Sequence, residues 1–183
     1  MGEVQRLGPD FVAAAAWIAG QRPDVRFVAP MASAKVRLEF ERQLAGSAAT
    51  SSVSVLDGQA QRALVAADAV IVASGTATLE TLLCGRPMVV AYRLSPLTAF
   101  LIRRLALVKV PYFSQPNLLV GRPLVPEFLQ EQVSGPALGA ALLREIADER
   151  HVSELRSEFR RVHEVLRRGG ADRAAAAILE CLA

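Results

Sequence analysis

The sequence predicts an α/β fold: a parallel sheet wound on both faces by helices. Three observations carry this. Short apolar runs rich in β-branched residues recur along the first half of the chain, separated by segments of helical periodicity. Aromatic residues make up only 5% of a chain dominated by Ala and Leu, which favours helices on a sheet over a β-sandwich. With 183 residues the chain is long enough to bury one ample core.

The elements follow in order. Pro9 to Gly20 has helical periodicity, with Gly20 as its stop signal. Val25 to Pro30 is a strand closed by proline. Ala34 to Leu44 mixes charged and apolar residues at helical spacing, and Ser33 is its cap. Val53 to Leu56 is the second strand, Asp57-Gly58 a turn, and Gln59 to Ala67 a short helix. Ala69 to Ala73 reads as a buried parallel strand. Small residues then turn the chain into a helix whose inward face is expected to hold Leu79, Leu82 and Leu83. Met88 to Tyr92 is the next strand. A helix is expected from about Leu97 to Leu107, with Arg103, Arg104 and Lys109 near its end. That pattern suits a core helix with solvated arginines or a membrane-surface helix. Val110 to Leu119, with two prolines, reads as irregular, and everything past Gly135-Pro136 as helix. The expected division is residues 1–148 as the sheet domain and 149–183 as a helical extension.

The most informative stretch is Ala73-Ser74-Gly75-Thr76-Ala77-Thr78-Leu79-Glu80. A strand entering a helix through a Ser/Gly/Thr turn leaves unpaired N–H groups and a positive dipole end facing outward, which suits a phosphate or diphosphate. In such sheets ligands sit beyond the carboxyl ends of the strands, where Ser74 to Thr76 would lie. Glu80 stands one turn in from Thr76 on the same side. A carboxylate repels phosphate, so its partner would be a hydroxyl pair such as a ribose diol. A capped core helix with a solvated Glu80 fits the same residues. Asn117, behind a proline, suits either a ligand contact or a simple turn.

Composition excludes other classes. Hydrophobic residues at 52% against 21% charged describe a globular chain, not a disordered one. A net charge of +3, with no arginine block interleaved with aromatics, argues against a nucleic-acid partner. Cys84 and Cys181 have no metal or redox spacing and point to a reducing compartment. His151 and His163 lie in polar helical sequence and read as surface residues. The opening residues carry no secretory signal, and Phe11 to Ala19 is too short to span a bilayer, so a cytoplasmic location is expected.

Five words stand out in order along the chain: Val28 to Lys35 (VAPMASAK), Leu56 to Gly58 (LDG), Ala67 to Glu80 (ADAVIVASGTATLE), Pro87 to Pro96 (PMVVAYRLSP) and Pro116 to Gln130 (PNLLVGRPLVPEFLQ). Together they resemble lipid-A-disaccharide synthase, a glycosyltransferase of the GT-B class. The resemblance covers the C-terminal, Rossmann-like, UDP-sugar-binding half of that family. It implies transfer of a 2,3-diacylglucosamine unit from its UDP derivative to 2,3-diacylglucosamine 1-phosphate, giving a lipid A disaccharide phosphate and UDP. Carried over, Ser74, Gly75, Thr76 and Ala77 face the UDP diphosphate and Glu80 the ribose. Asn117, Glu127 and Gln130 fall in further substrate-binding motifs, while Gln115 replaces the family's usual leucine.

The resemblance implies no cofactor and no metal, consistent with a chain lacking an Asp-x-Asp pair. It implies as partners the lipid-bearing UDP-sugar donor, the lipid monosaccharide phosphate acceptor, the inner-membrane surface, an acceptor-binding N-terminal half and a possible second copy of the chain. The Phe100 to Arg104 helix is a candidate membrane contact. Family members open this half with an apolar strand and a Leu-Pro-Gly-Ser-Arg loop; here Met1-Gly2 precedes Glu3-Val4. The chain therefore reads as a fragment with two sheet edges unpaired in the middle, no assignable catalytic residue, and no turnover alone. An exposed stripe of Leu155, Phe159 and Val162 is expected as well. Two rivals remain on the same scaffold: a UDP-N-acetylglucosamine 2-epimerase and a non-catalytic nucleotide-binding or interaction module.

Overall fold

The computed structural model describes residues 2–95, 111–167 and 169–182; the expected helix from Leu97 to Leu107 lies outside them. The order is α1 (Gly2–Gln21), β1 (Phe27–Met31), α2 (Ala34–Leu44), β2 (Val53–Asp57), α3 (Ala60–Ala66), β3 (Val70–Ala73), α4 (Thr76–Leu83) and β4 (Met88–Tyr92). After the undescribed segment come α5 (Gln115–Val120), β5 (Glu127–Leu129), a 3₁₀ turn (Gln130–Gln132), α6 (Gly135–Ala147), α7 (Glu149–Leu166) and α8 (Gly170–Leu182). Among the described residues all strand pairs are parallel, β1 with β2 and β3 with β4 with β5. The two ladders are not joined to each other, so β1 and β3 each keep one edge without a strand neighbour among the described residues.

β4 shows why the sheet is wound on both faces. Its side chains alternate, and all four from Met88 to Ala91 are buried. Val89 and Ala91 join Ile71, Ala73 and Phe128 under α1 and α6. Met88 and Val90 join Val72, Leu82, Leu155, Phe159 and Val162 on the opposite face, under α4 and α7. A third cluster beneath α1 and α2 holds Val12, Ala15, Phe40 and Leu44 against Phe27, Ala29 and Val53. Helix α1 thus covers both ladders and ties them into one body.

The expected exposed stripe on α7 is overturned here. Leu155, Phe159 and Val162 are buried, because α7 folds back over the β3–β4 ladder and uses its apolar face there. Arg122 and Arg161 flank Glu158 at 3.2 and 3.0 Å, fastening the α5–β5 connection to the rim of the same helix. Among the described residues, large apolar side chains exposed toward the C-terminus are Val165, Leu166, Ile178 and Leu179.

Helix α1 departs from expectation at both ends. It begins at Gly2, and Pro9 lies inside it. Proline has no N–H for the preceding turn, but Leu7 and Gly8 before it and Val12 after it are buried, and burial outweighs the lost bond. Gly20 does not stop it; the N–H of Arg22 still reaches the Ile18 carbonyl at 2.7 Å, and Pro23 ends the run. Ser33 does cap α2, accepting from the Val36 N–H at 3.4 Å.

Helices α1 and α6 meet through glycine. A Cβ on Gly135 would stand 2.5 Å from the Ala13 Cβ and 2.6 Å from its carbonyl carbon, and one on Gly139 would stand 2.6 Å from the Trp17 ring. The Gly135→Ala variant is therefore expected to lose about 1–3 kcal/mol by overpacking, and Phe159→Ala about 3–5 kcal/mol through the cavity it leaves. Urea unfolding followed by circular dichroism measures both.

Candidate functional site

Strand β3 ends at Ala73, and the Ser74 N–H continues its ladder by donating to the Ala91 carbonyl at 2.9 Å. The chain then turns at Gly75, with φ 154° and ψ −161°, a backbone region open almost only to glycine. A Cβ there would meet nothing within 4 Å, so conformation, not space, demands the glycine. Gly75 is also the N-cap of α4 and has no side chain to satisfy the helix start. Among the described residues no protein group accepts from the amides of Gly75, Thr76 or Ala77, and all three residues are exposed. Glu80, exposed one turn on, shares their side of the helix.

Beneath this exposed edge the helix is anchored by polar residues. Of the three leucines expected to face inward only Leu82 is buried; Leu79 is half-buried and Leu83 is 41% exposed. Thr78 and Thr81 are fully buried instead. Their hydroxyls donate back to the Gly75 and Ala77 carbonyls, each at 2.7 Å, so no hydroxyl is left unpaired.

The segment before α5 supports the turn from behind. The Ser74 Oγ–H donates to the Phe113 carbonyl at 2.7 Å, and the Gln115 N–H reaches Thr78 Oγ1 at 3.4 Å. Phe113 stacks on Tyr92 at the end of β4, ring centroids 6.1 Å apart. The end of the Val110 to Leu119 stretch, expected to be irregular, belongs instead to helix α5 (Gln115–Val120): Ser114 caps it by accepting from Asn117 N–H, and Pro116 occupies a first-turn position where no N–H is needed.

Asn117 and Glu127 meet under this segment. Glu127 Oε2 accepts from Phe113 N–H at 2.9 Å. Its Oε1 accepts from Ser114 N–H at 2.7 Å, Ser114 Oγ–H at 2.5 Å and Asn117 Nδ2 at 2.9 Å. Asn117 Nδ2 also donates to the Val125 carbonyl, and its Oδ1 accepts from the Leu124 and Val125 amides at 2.8 and 2.9 Å. The amide's full hydrogen-bonding capacity is thereby used inside the chain. Gln130, at φ 52°, lies just past β5, where its Oε1 accepts from Leu94 N–H at 3.1 Å. Arg93 completes this exit from β4, bonding Asp10 at 2.5 Å and the Val133 carbonyl at 2.9 Å.

The candidate residues thus form an exposed rim (Gly75, Thr76, Ala77 and Glu80, with Ser74 at its base), a support beneath it (buried Asn117 and half-buried Glu127) and Gln130 beyond the next strand. Thr78, Ser114 and Arg93 belong to the same end of the sheet and were not singled out from sequence. Ser114 had a legible signal, a serine two residues before a proline at a helix start.

A family model described as lipid-A-disaccharide synthetase matches residues 1–180. The chain belongs to that family. Among its relatives are lipid-A-disaccharide synthases of Pseudomonas putida strain GB-1, 49% identical over 181 residues, and of Hahella chejuensis, 44% identical over 181. Another, from Alkalilimnicola ehrlichii, is 45% identical over 179 residues. Each alignment takes in 98–99% of this chain but only 45–46% of the relative, so the chain spans a little under half of their length. Family membership agrees with the parallel, two-faced α/β architecture. Replacing Gly75 with alanine in this member should cost about 1–3 kcal/mol of stability through backbone strain, with little further loss for serine. Thermal denaturation of the two variants checks this.

Proposed function

We infer that this chain supplies the donor-binding part of a glycosyltransferase. The enzyme moves a 2,3-diacylglucosamine unit from its UDP derivative to 2,3-diacylglucosamine 1-phosphate and releases UDP. The observation that carries this is the turn after β3, where exposed Gly75, Thr76 and Ala77 open a helix with amides that bond no protein group among the described residues, and Glu80 stands one turn beyond. The diphosphate takes the amides of Gly75, Thr76 and Ala77. Ser74 lies beside it with its hydroxyl proton committed to Phe113. Glu80 accepts from the ribose hydroxyls.

A helix end contributes about 0.3–2 kcal/mol to holding an anion; the same N–H groups act more strongly on charge that develops during reaction, roughly 2.7–4 kcal/mol for one oxyanion donor once water is excluded. As the bond to the anomeric carbon breaks, negative charge grows on the UDP leaving group, and these fixed N–H groups stabilise it without reorganising. Deprotonation of the acceptor hydroxyl is assigned to no residue of this chain, so the chain alone binds nucleotide without turning over.

Both substrates carry acyl chains, which calls for contact with the inner-membrane surface from the cytoplasmic side, with an acceptor-binding half and a second copy of the chain as further partners. Among the described residues no helix is long and apolar enough to cross a membrane.

Calorimetric titration tests the donor site. UDP should bind in a salt-sensitive manner and uridine at least about tenfold more weakly, the worth of one charge-assisted bond. Equal binding of the two, or no binding of UDP, would remove the diphosphate from the turn. Sugar transfer by the purified chain would overturn the division of labour.

A further inference from the structure

We propose that Glu127, Ser114 and Asn117 are positioning residues that set the shape of the Gly75 turn from behind, and do not themselves touch the nucleotide. The proposal rests on the reading of that turn as the diphosphate site. Ser114 and Asn117 are 0% and 1% exposed, and every polar atom of Asn117 is bonded within the chain. Glu127 stands in register with Val90, so its carboxylate points to the face that α4 covers. It accepts four hydrogen bonds there, two of them from the consecutive amides of Phe113 and Ser114.

Those two amides belong to the segment that grips the turn. Ser74 Oγ–H bonds the Phe113 carbonyl, and Gln115 N–H bonds Thr78 Oγ1, whose own proton goes to the Gly75 carbonyl. The chain of contacts is continuous: carboxylate, backbone of 113–115, side chains of Ser74 and Thr78, then the Gly75 peptide. Bonds to an ionised acceptor are roughly twice as strong as neutral ones. A carboxylate also presents only acceptors, so it can take all four donors together.

Glu127→Gln tests this, because the isosteric amide turns one acceptor into a donor facing an N–H. Two readouts are taken on the 183-residue chain: amide hydrogen exchange and UDP affinity. Exchange at Ser74 and Thr78 should quicken by about tenfold relative to Val89 and Val90, which report global opening. UDP affinity should fall about tenfold. Ser74→Ala cuts the same path at its other end, so it should weaken UDP binding without deprotecting Phe113 and Ser114. The double variant should lose less affinity than the two single losses combined.

A merely structural role predicts the opposite. All amides would then quicken together, and folded protein would keep its affinity; that result overturns the proposal. Should wild-type chain fail to bind UDP, the nucleotide reading falls, and the exchange ratio still decides whether Glu127 shapes the turn. If Glu127→Gln does not fold, Ser114→Ala, which removes one of the four side-chain or backbone donors, is read at the same amides with the same two outcomes.

Discussion

A carboxylate stands where the strand register calls for an apolar side chain. Glu127 opens β5 opposite Val90, and its neighbour Phe128 goes to the α1–α6 core. A half-buried carboxylate there gives up part of its hydration and needs donors to replace it, and here four hydrogen bonds do so. Satisfying one residue therefore fixes a whole corner of the molecule: the start of α5, the approach of residues 113–115 to α4, and the placement of the turn after β3. Losing a single partner would strand the others, which is why such a cluster locks geometry more firmly than an apolar contact of the same size.

The legibility of the fold follows the same physics. Strands β1 to β4 were readable because burial on one or both faces left runs of Val, Ile and Met that nothing else explains. The cap of α2 was readable because Ser33 performs a local task. Strand β5 was not: three residues long, it opens with the glutamate just described, so it shows neither alternation nor an apolar run. Helix α4 misled for a related reason. Its inward face is made partly of Thr78 and Thr81, which bury their hydroxyls by bonding to their own helix, while Leu83 is left outside. The fate of the α7 apolar face needed tertiary information, since sequence cannot say which surface a stripe will cover.

The candidate site divides along similar lines. The outward turn, from Ser74 to Ala77 with Glu80, could be found because its chemistry is local: small residues, a glycine and a helix start. Asn117 offers a local signal, an asparagine behind a proline, that fits a ligand contact and a turn equally, whereas Glu127 and Gln130 stand out only through resemblance. In the structure their partners lie from 7 to 36 residues away, and no periodicity encodes such pairings. Three elements meet at the same end of the sheet because β4 is enclosed on both sides and fixes the levels of β3 and β5 beside it.

Gly75 combines an unusual backbone with empty space around the position where a side chain would begin. Bulk is thus no obstacle at this point; the obstacle is that natural amino acids have the wrong hand for the required torsions. The turn discriminates by chirality. Glycine, being achiral, is the only genetically encoded residue that escapes the test, and it leaves its neighbouring amides uncovered as it does so.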